Sequence, residues 1–184
     1  MEISIFSKKI KYFILVTCLL LPACFFGGIK NPGKVRAYTP GEVKTDKGSY
    51  GVGPLPSSWR QKQVGNYKVL VLYNDAYQSS IETDAFCDRS FDDASLKVLT
   101  NHLHAGITDK KTKSENPMML DSRGAFRSVV SGKVDGVEVI LDSVVVKKDN
   151  CLFDFVLISK PSKYSSALPD FENFFGGFRY LGDI

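Results

Sequence analysis

The sequence predicts an α+β fold, a mostly antiparallel twisted sheet of about six strands with two main helices packed on it. Three observations lead there. Short segments rich in β-forming residues recur between residues 67 and 87 and between 118 and 159, which is strand patterning. Lys147-Lys148-Asp149-Asn150 supplies a turn between the last two of them, so they should form a hairpin. Two other stretches, near residues 93–105 and 168–181, place apolar side chains at helical spacing.

Taken in order, the chain opens with an address. Lys8, Lys9 and Lys11 precede ten residues, Tyr12 to Leu21, in which Thr17 is the only polar side chain. That is a signal-peptide core of ordinary length and too short to span a bilayer as a helix. Leu21-Pro22-Ala23-Cys24 follows. This resembles the bacterial lipobox, and the resemblance implies cleavage before Cys24, lipidation of its sulfur and removal of residues 1–23. An uncleaved anchor over Tyr12 to Ile29 is the alternative, although Pro22, Gly27 and Gly28 would weaken such a helix. Either way, the lysines stay cytoplasmic and the rest of the chain is exported.

Residues 24–48 read as a lipid anchor and flexible tether. Positions 25–48 carry five glycines, two prolines and five basic residues with little periodicity. The alternative is that part of this stretch docks as an extended edge. A single globular domain is expected over 49–184. Tyr50-Gly51-Val52 reads as a short strand, followed by a turn carrying the one tryptophan, Trp59. Tyr67 to Tyr73 and Ser79 to Cys87 are the next strands. Asp92 or Asp93 is the expected cap of a helix running to Ala105, with Leu96, Leu99 and Leu103 on its buried face and Gly106 as its stop. Strands are then expected at Met118 to Ser122, Ala125 to Gly132, Gly136 to Val146 and Cys151 to Ser159. Apolar residues on both faces of Gly136 to Val146 mark it as central. The closing helix carries Leu168, Phe171, Phe174, Phe175, Phe178 and Leu181, with Pro169 in its first turn.

Gly51-Val52-Gly53-Pro54-Leu55-Pro56-Ser57-Ser58-Trp59, Leu120-Asp121-Ser122-Arg123-Gly124-Ala125, Asp135-Gly136-Val137 and the aromatic closing helix resemble small bacterial envelope lipoproteins. Their architecture is similar to the PsbP subunit of photosystem II and to the Ran-binding Mog proteins. The resemblance covers roughly residues 49–181 and implies a PsbP-like α/β sandwich. Those relatives are mostly non-catalytic accessory or assembly factors.

Composition agrees with an exported domain and excludes several classes. The 184 residues are 43% apolar, with 24 basic and 20 acidic side chains, enough for a real core and too hydrophobic for a disordered chain. Without residues 1–23, 21 basic and 19 acidic side chains remain, which steers no nucleic acid. No cofactor motif is present: there is no P-loop, no Gly-x-Gly-x-x-Gly and no Gly-x-Ser-x-Gly elbow. The two histidines, His102 and His104, would point about 160° apart on a helix and cannot clamp one metal. His104 is expected to face solvent and His102 to flank the apolar face.

Asp121 and Arg123 share a face if both lie on a strand, as an ion pair or an anion-binding arginine. With Trp59 they are the candidate contacts for a ligand or partner. Lys110, Lys111 and Lys113 form a basic run in an expected loop, solvated or touching anionic head groups. Cys18 leaves with the signal and Cys24 takes lipid, so Cys87 and Cys151 remain, both at sheet ends. They are expected to form a disulfide in an oxidising compartment, two buried thiols being the alternative.

The function expected is that of a non-enzymatic, membrane-anchored envelope lipoprotein, an accessory or assembly factor acting through an envelope protein partner. The alternative is a lipoprotein holding a small apolar or lipid-like ligand between sheet and helix. The domain should face the periplasm. Phe25 stands where many enteric inner-membrane lipoproteins carry aspartate, which favours the outer membrane in a Gram-negative cell.

Overall fold

The computed structural model describes residues 35–63, 69–87 and 93–182. The signal segment, Cys24, the first part of the expected tether and Asp92 lie outside the described residues. All the described residues belong to one compact unit.

A seven-stranded antiparallel sheet is the backbone of this unit. Its strands are β4 (Trp59–Lys62), β5 (Leu70–Asn74), β6 (Ser79–Phe86), β7 (Thr108–Leu120), β8 (Arg123–Val134), β9 (Val137–Lys148) and β10 (Cys151–Ser159). Their spatial order is β4-β5-β6-β10-β9-β8-β7. Three consecutive two-residue turns, Asp121-Ser122, Asp135-Gly136 and Asp149-Asn150, join β7 to β10, and all six residues have positive φ. That backbone twist matches the twist of the flanking strands, and Asp, Asn and Gly tolerate it best. β9 is central, as its doubly apolar pattern requires: Val144 and Val146 enter one core, while Leu141 and Val145 enter the clusters on the opposite face.

Two helices cover the two faces. α1 (Leu96–Leu103) lays Leu99, Leu96 and Leu103 against Val145 and Leu152. Its N-cap is Ser95, whose hydroxyl accepts the Val98 N–H at 3.3 Å, rather than the expected Asp92 or Asp93. α2 (Tyr164–Gly176) packs Ala167, Phe171, Phe174 and Phe175 on the other face, over Phe153, Phe155 and Leu157 of β10. It begins four residues before Leu168, so Pro169 lies inside it and not in the first turn. Phe178 is buried just beyond the helix, whereas Leu181 is exposed on a strand.

That strand, β11 (Arg179–Gly182), belongs to a second sheet of order β1-β2-β3-β11, with β1 (Val35–Thr39), β2 (Glu42–Thr45) and β3 (Ser49–Gly51). Residues 35–45, read in the sequence as tether, are therefore folded strand and turn. The burial of β2 alternates, with Val43 and Thr45 inward and Lys44 outward, which is a half-buried strand. Basic and glycine content masked that short pattern. The small sheet joins the main core through Tyr50, fully buried against Phe153, Phe155 and Phe178. Its hydroxyl pairs with Thr83 Oγ1 at 3.1 Å.

Glycine makes one close approach possible. The Gly53 N–H donates to Phe174 O at 2.8 Å, and a Cβ on Gly53 would lie 1.9 Å from Asn173 O.

Candidate functional site

Cys87 and Cys151 form the expected disulfide. The register pairs Leu152 with Phe86, so the two cysteines fall directly opposite one another at the next step, with Cα atoms 4.0 Å apart. β10 begins at Cys151 immediately after its turn, and Cys87 follows the last residue of β6.

The three candidate contact residues are not brought together. Trp59 is 6% exposed, and its indole N–H donates to Asp170 Oδ2 at 2.7 Å, a tie between β4 and α2. Asp121 lies in a turn rather than on a strand and does not pair with Arg123. It accepts from Lys148 Nζ and from the Tyr180 N–H, the latter at 3.0 Å. Partial desolvation raises its carboxyl, but these donors hold it below the usual carboxylate range. Arg123 lies 3.9 Å from Asp149 and keeps a mostly exposed side chain. Of the three, it alone offers its charge to solvent.

The histidines exchange their expected places. His102 is exposed and His104 is buried. His104 is the C-cap of α1, with φ −92° and ψ 7°, so its ring leaves the helical progression and turns onto the sheet. Its Nε2 lies 2.8 Å from Ser143 Oγ, and Ser143 donates to Ser128 O at 3.2 Å. Burial, helped by Lys110, lowers its pKa against the opposing pull of Glu115. This Ser–His pair resembles a nucleophile beside its base, yet Ser143 has no exposed surface, and α1 covers it.

A charged seam between α2 and the sheet escaped the sequence reading. Arg127 of β8 grips Asp142 of β9 with two donors, Nε to Oδ1 at 2.9 Å and Nη2 to Oδ2 at 2.6 Å. Nη1 reaches Glu172 of α2 at 2.9 Å, and the Tyr164 hydroxyl donates to Asp142 at 2.8 Å. The guanidinium also stacks over Phe175, 5.3 Å from the ring centre. Every group here is paired, which fits a clamp better than a ligand site.

Among the described residues, open grooves include the following two. One, of about 610 Å³, is floored by Gly51, Gly53 and Gly177 beside Asn173 and Arg179. The other, of about 640 Å³, lies at the far end of the β7–β8 hairpin from Asp121 and is lined by Lys110, Lys111, Lys113, Lys133 and Glu138. The three lysines from 110 to 113 lie on β7, an edge strand, and not in a loop. Among the described residues, no group of three or more His, Cys, Asp or Glu side chains is placed to hold a metal ion.

No family model and no curated protein sequence matches the chain. Solved structures do. Cyanobacterial PsbP (CyanoP) from Synechocystis sp. PCC 6803 aligns with a TM-score of 0.55 at 12% identity, over 88% of this chain and 99% of that one. A protein from Bacteroides thetaiotaomicron VPI-5482 aligns with a TM-score of 0.52 at 16% identity, over 71% of this chain but only 44% of that one. LpqN, involved in cell envelope biogenesis of Mycobacterium tuberculosis, aligns at 0.46 and 14% identity, over 70% and 82%. The 11 strands and two helices described here therefore build a PsbP-like α+β fold.

Proposed function

We propose that this protein is a lipid-anchored, non-catalytic accessory factor of the bacterial envelope, working through contacts with another envelope protein. The observation that carries this reading is the filling of the space between sheet and α2. The rings of Tyr50 and Phe178 each stand 4.8–6.4 Å, centre to centre, from those of Phe153 and Phe155 and from each other, and Phe171 and Phe174 are fully buried beside them. A core so occupied has no room for an apolar ligand, which tells against the alternative of a lipid-binding interior. The buried Ser143–His104 pair likewise has no approach for a substrate. What the domain offers is its surface.

The anchor would be Cys24, with the domain facing the periplasm, in the outer membrane if the cell is Gram-negative. Only residues 25–34 separate Cys24 from β1, a span of at most about 35 Å of chain. The domain would thus work close to its membrane.

Three measurements test the reading. Cys24→Ser should abolish palmitate incorporation and leave the precursor unprocessed. A photoreactive residue in place of the exposed Arg123 should crosslink one protein in intact membranes. A small molecule retained by the purified protein in native mass spectrometry, with no protein crosslinked from any surface position, would replace this reading with ligand carriage.

A further inference from the structure

Successive residues of a regular strand point to opposite faces of a sheet. Lys110 and Lys111 are successive residues on β7, yet both line the same cleft, as does Lys113. The cause is irregular pairing. The β7–β8 register shifts between Thr108 and Lys111 and again between Thr112 and Ser114, so Asp109, Lys110 and Lys113 fall outside the ladder. Bulges of this kind re-aim side chains, most often at edges and beside functional sites. Lys133 joins the three from β8, its ammonium 2.9 Å from Asp109. Glu138 is the other acidic residue lining the cleft.

Lysines on an edge strand also serve to prevent pairing with other chains. That role is met by lysines spread along the edge and on both faces. Here four converge on one cleft against two carboxylates, one of which is already taken by Lys133. Pro161, three residues before α2, closes one side of the same cleft without adding an acidic group. A volume of about 640 Å³ is within the range of small-molecule sites. Because Lys110, Lys111 and Lys113 are exposed and Lys133 half-buried, the occupant would be held by charge and not by apolar burial.

From this convergence we infer that the cleft is a binding site for phosphate groups, which lysine ammonium groups recognise as compact point charges. Ser131 at the floor supplies a hydroxyl donor. The phosphate would come either from a lipid head group or from a soluble phosphorylated molecule. Both present the same doubly or singly charged oxyanion to the cleft.

The test uses the full chain and its Lys110→Gln/Lys111→Gln/Lys113→Gln variant, all three positions being exposed and free of packing duties. Pyrophosphate should bind the natural protein in calorimetry, with an affinity that falls steeply as salt rises and at least tenfold in the variant, at unchanged melting temperature. Co-sedimentation with phosphatidylglycerol vesicles, compared with phosphatidylcholine vesicles, separates the sources. Retention on the anionic vesicles that drops in the variant identifies a head group; pyrophosphate binding without that drop identifies a soluble ligand. Equal pyrophosphate affinity in both proteins, or no binding of pyrophosphate together with equal vesicle retention, would overturn the site.

Discussion

Asp142 has no exposed surface, so its charge is offset by Arg127 and the Tyr164 hydroxyl instead of water. Removing one partner of such a pair leaves an uncompensated buried charge and typically costs about 3–5 kcal/mol. Arg127→Met should therefore lower the urea midpoint strongly at an unchanged denaturant slope. A loss under 1 kcal/mol would mean that water replaces the guanidinium. Asp154 has the opposite history. It is buried and stands opposite Asp84 across β10 and β6, and its Oδ1 has no hydrogen-bond partner among the described residues. Burial first, and the Asp84 charge second, push its carboxyl up to about 8. A folded-state pKa above the unfolded value means that the native state holds the proton longer. Stability from this group is then complete in acid and is lost as the pH climbs from about 4 to about 8. Asp154→Asn should flatten that slope and stabilise the protein most on the alkaline side. An unchanged pH profile in urea melts would contradict the assignment. None of these partnerships shows in the sequence. Arg127, Asp142 and Tyr164 come from three elements, and His104 departs from helical periodicity at a cap that no spacing rule marks.

At the scale of elements, strands and helices with strong periodicity were legible, and what obscured the others was local. β10, β9 and the aromatic face of α2 lie where their apolar patterns place them. Of β7 only the end, Met118–Leu120, showed itself, because its first seven residues are exposed and polar, and an edge strand facing solvent needs no alternation. Asp121 and Ser122 hid the turn that ends it, since nothing distinguishes them from strand residues until φ is known. The contact between Gly53, two residues past β3, and α2 was also invisible, being made of backbone. It carries a sharp expectation. Gly53→Ala puts a methyl group 1.9 Å from Asn173 O, a clash with main chain that no rotamer relieves, and should cost about 1–3 kcal/mol or more. Gly124→Ala is the control, because its added Cβ meets nothing within 4 Å. Equal melting temperatures for the two variants would show that the chain around Gly53 yields.

The whole molecule is an arm returned to its root. The chain leaves the centre of the large sheet at Cys87, builds α1 and the long strands β7, β8 and β9, and re-enters at Cys151 beside its point of departure. The α+β class was readable because this arm is a run of hairpins. The second sheet was not, because its first two strands lie in a stretch whose composition resembles a tether. The disulfide closes the arm where β6 meets β10, with a sequence separation of 64. In the chain-entropy model a loop of that size restricts the unfolded chain by roughly 4 kcal/mol, a large part of the 5–15 kcal/mol typical of a domain. The native contacts at the root do not depend on the bond, since the β6–β10 ladder runs on through eight further residue pairs. Reduction should then lower the melting temperature without changing the folded far-ultraviolet spectrum at 20 °C or thereabouts. In the oxidised full chain unfolded in urea, neither Cys87 nor Cys151 should react with an alkylating agent. After reduction both should, as peptide mapping resolves. Alkylation of both before reduction would remove the bond, and an unchanged melting temperature after reduction would show that the unfolded arm stays closed without it.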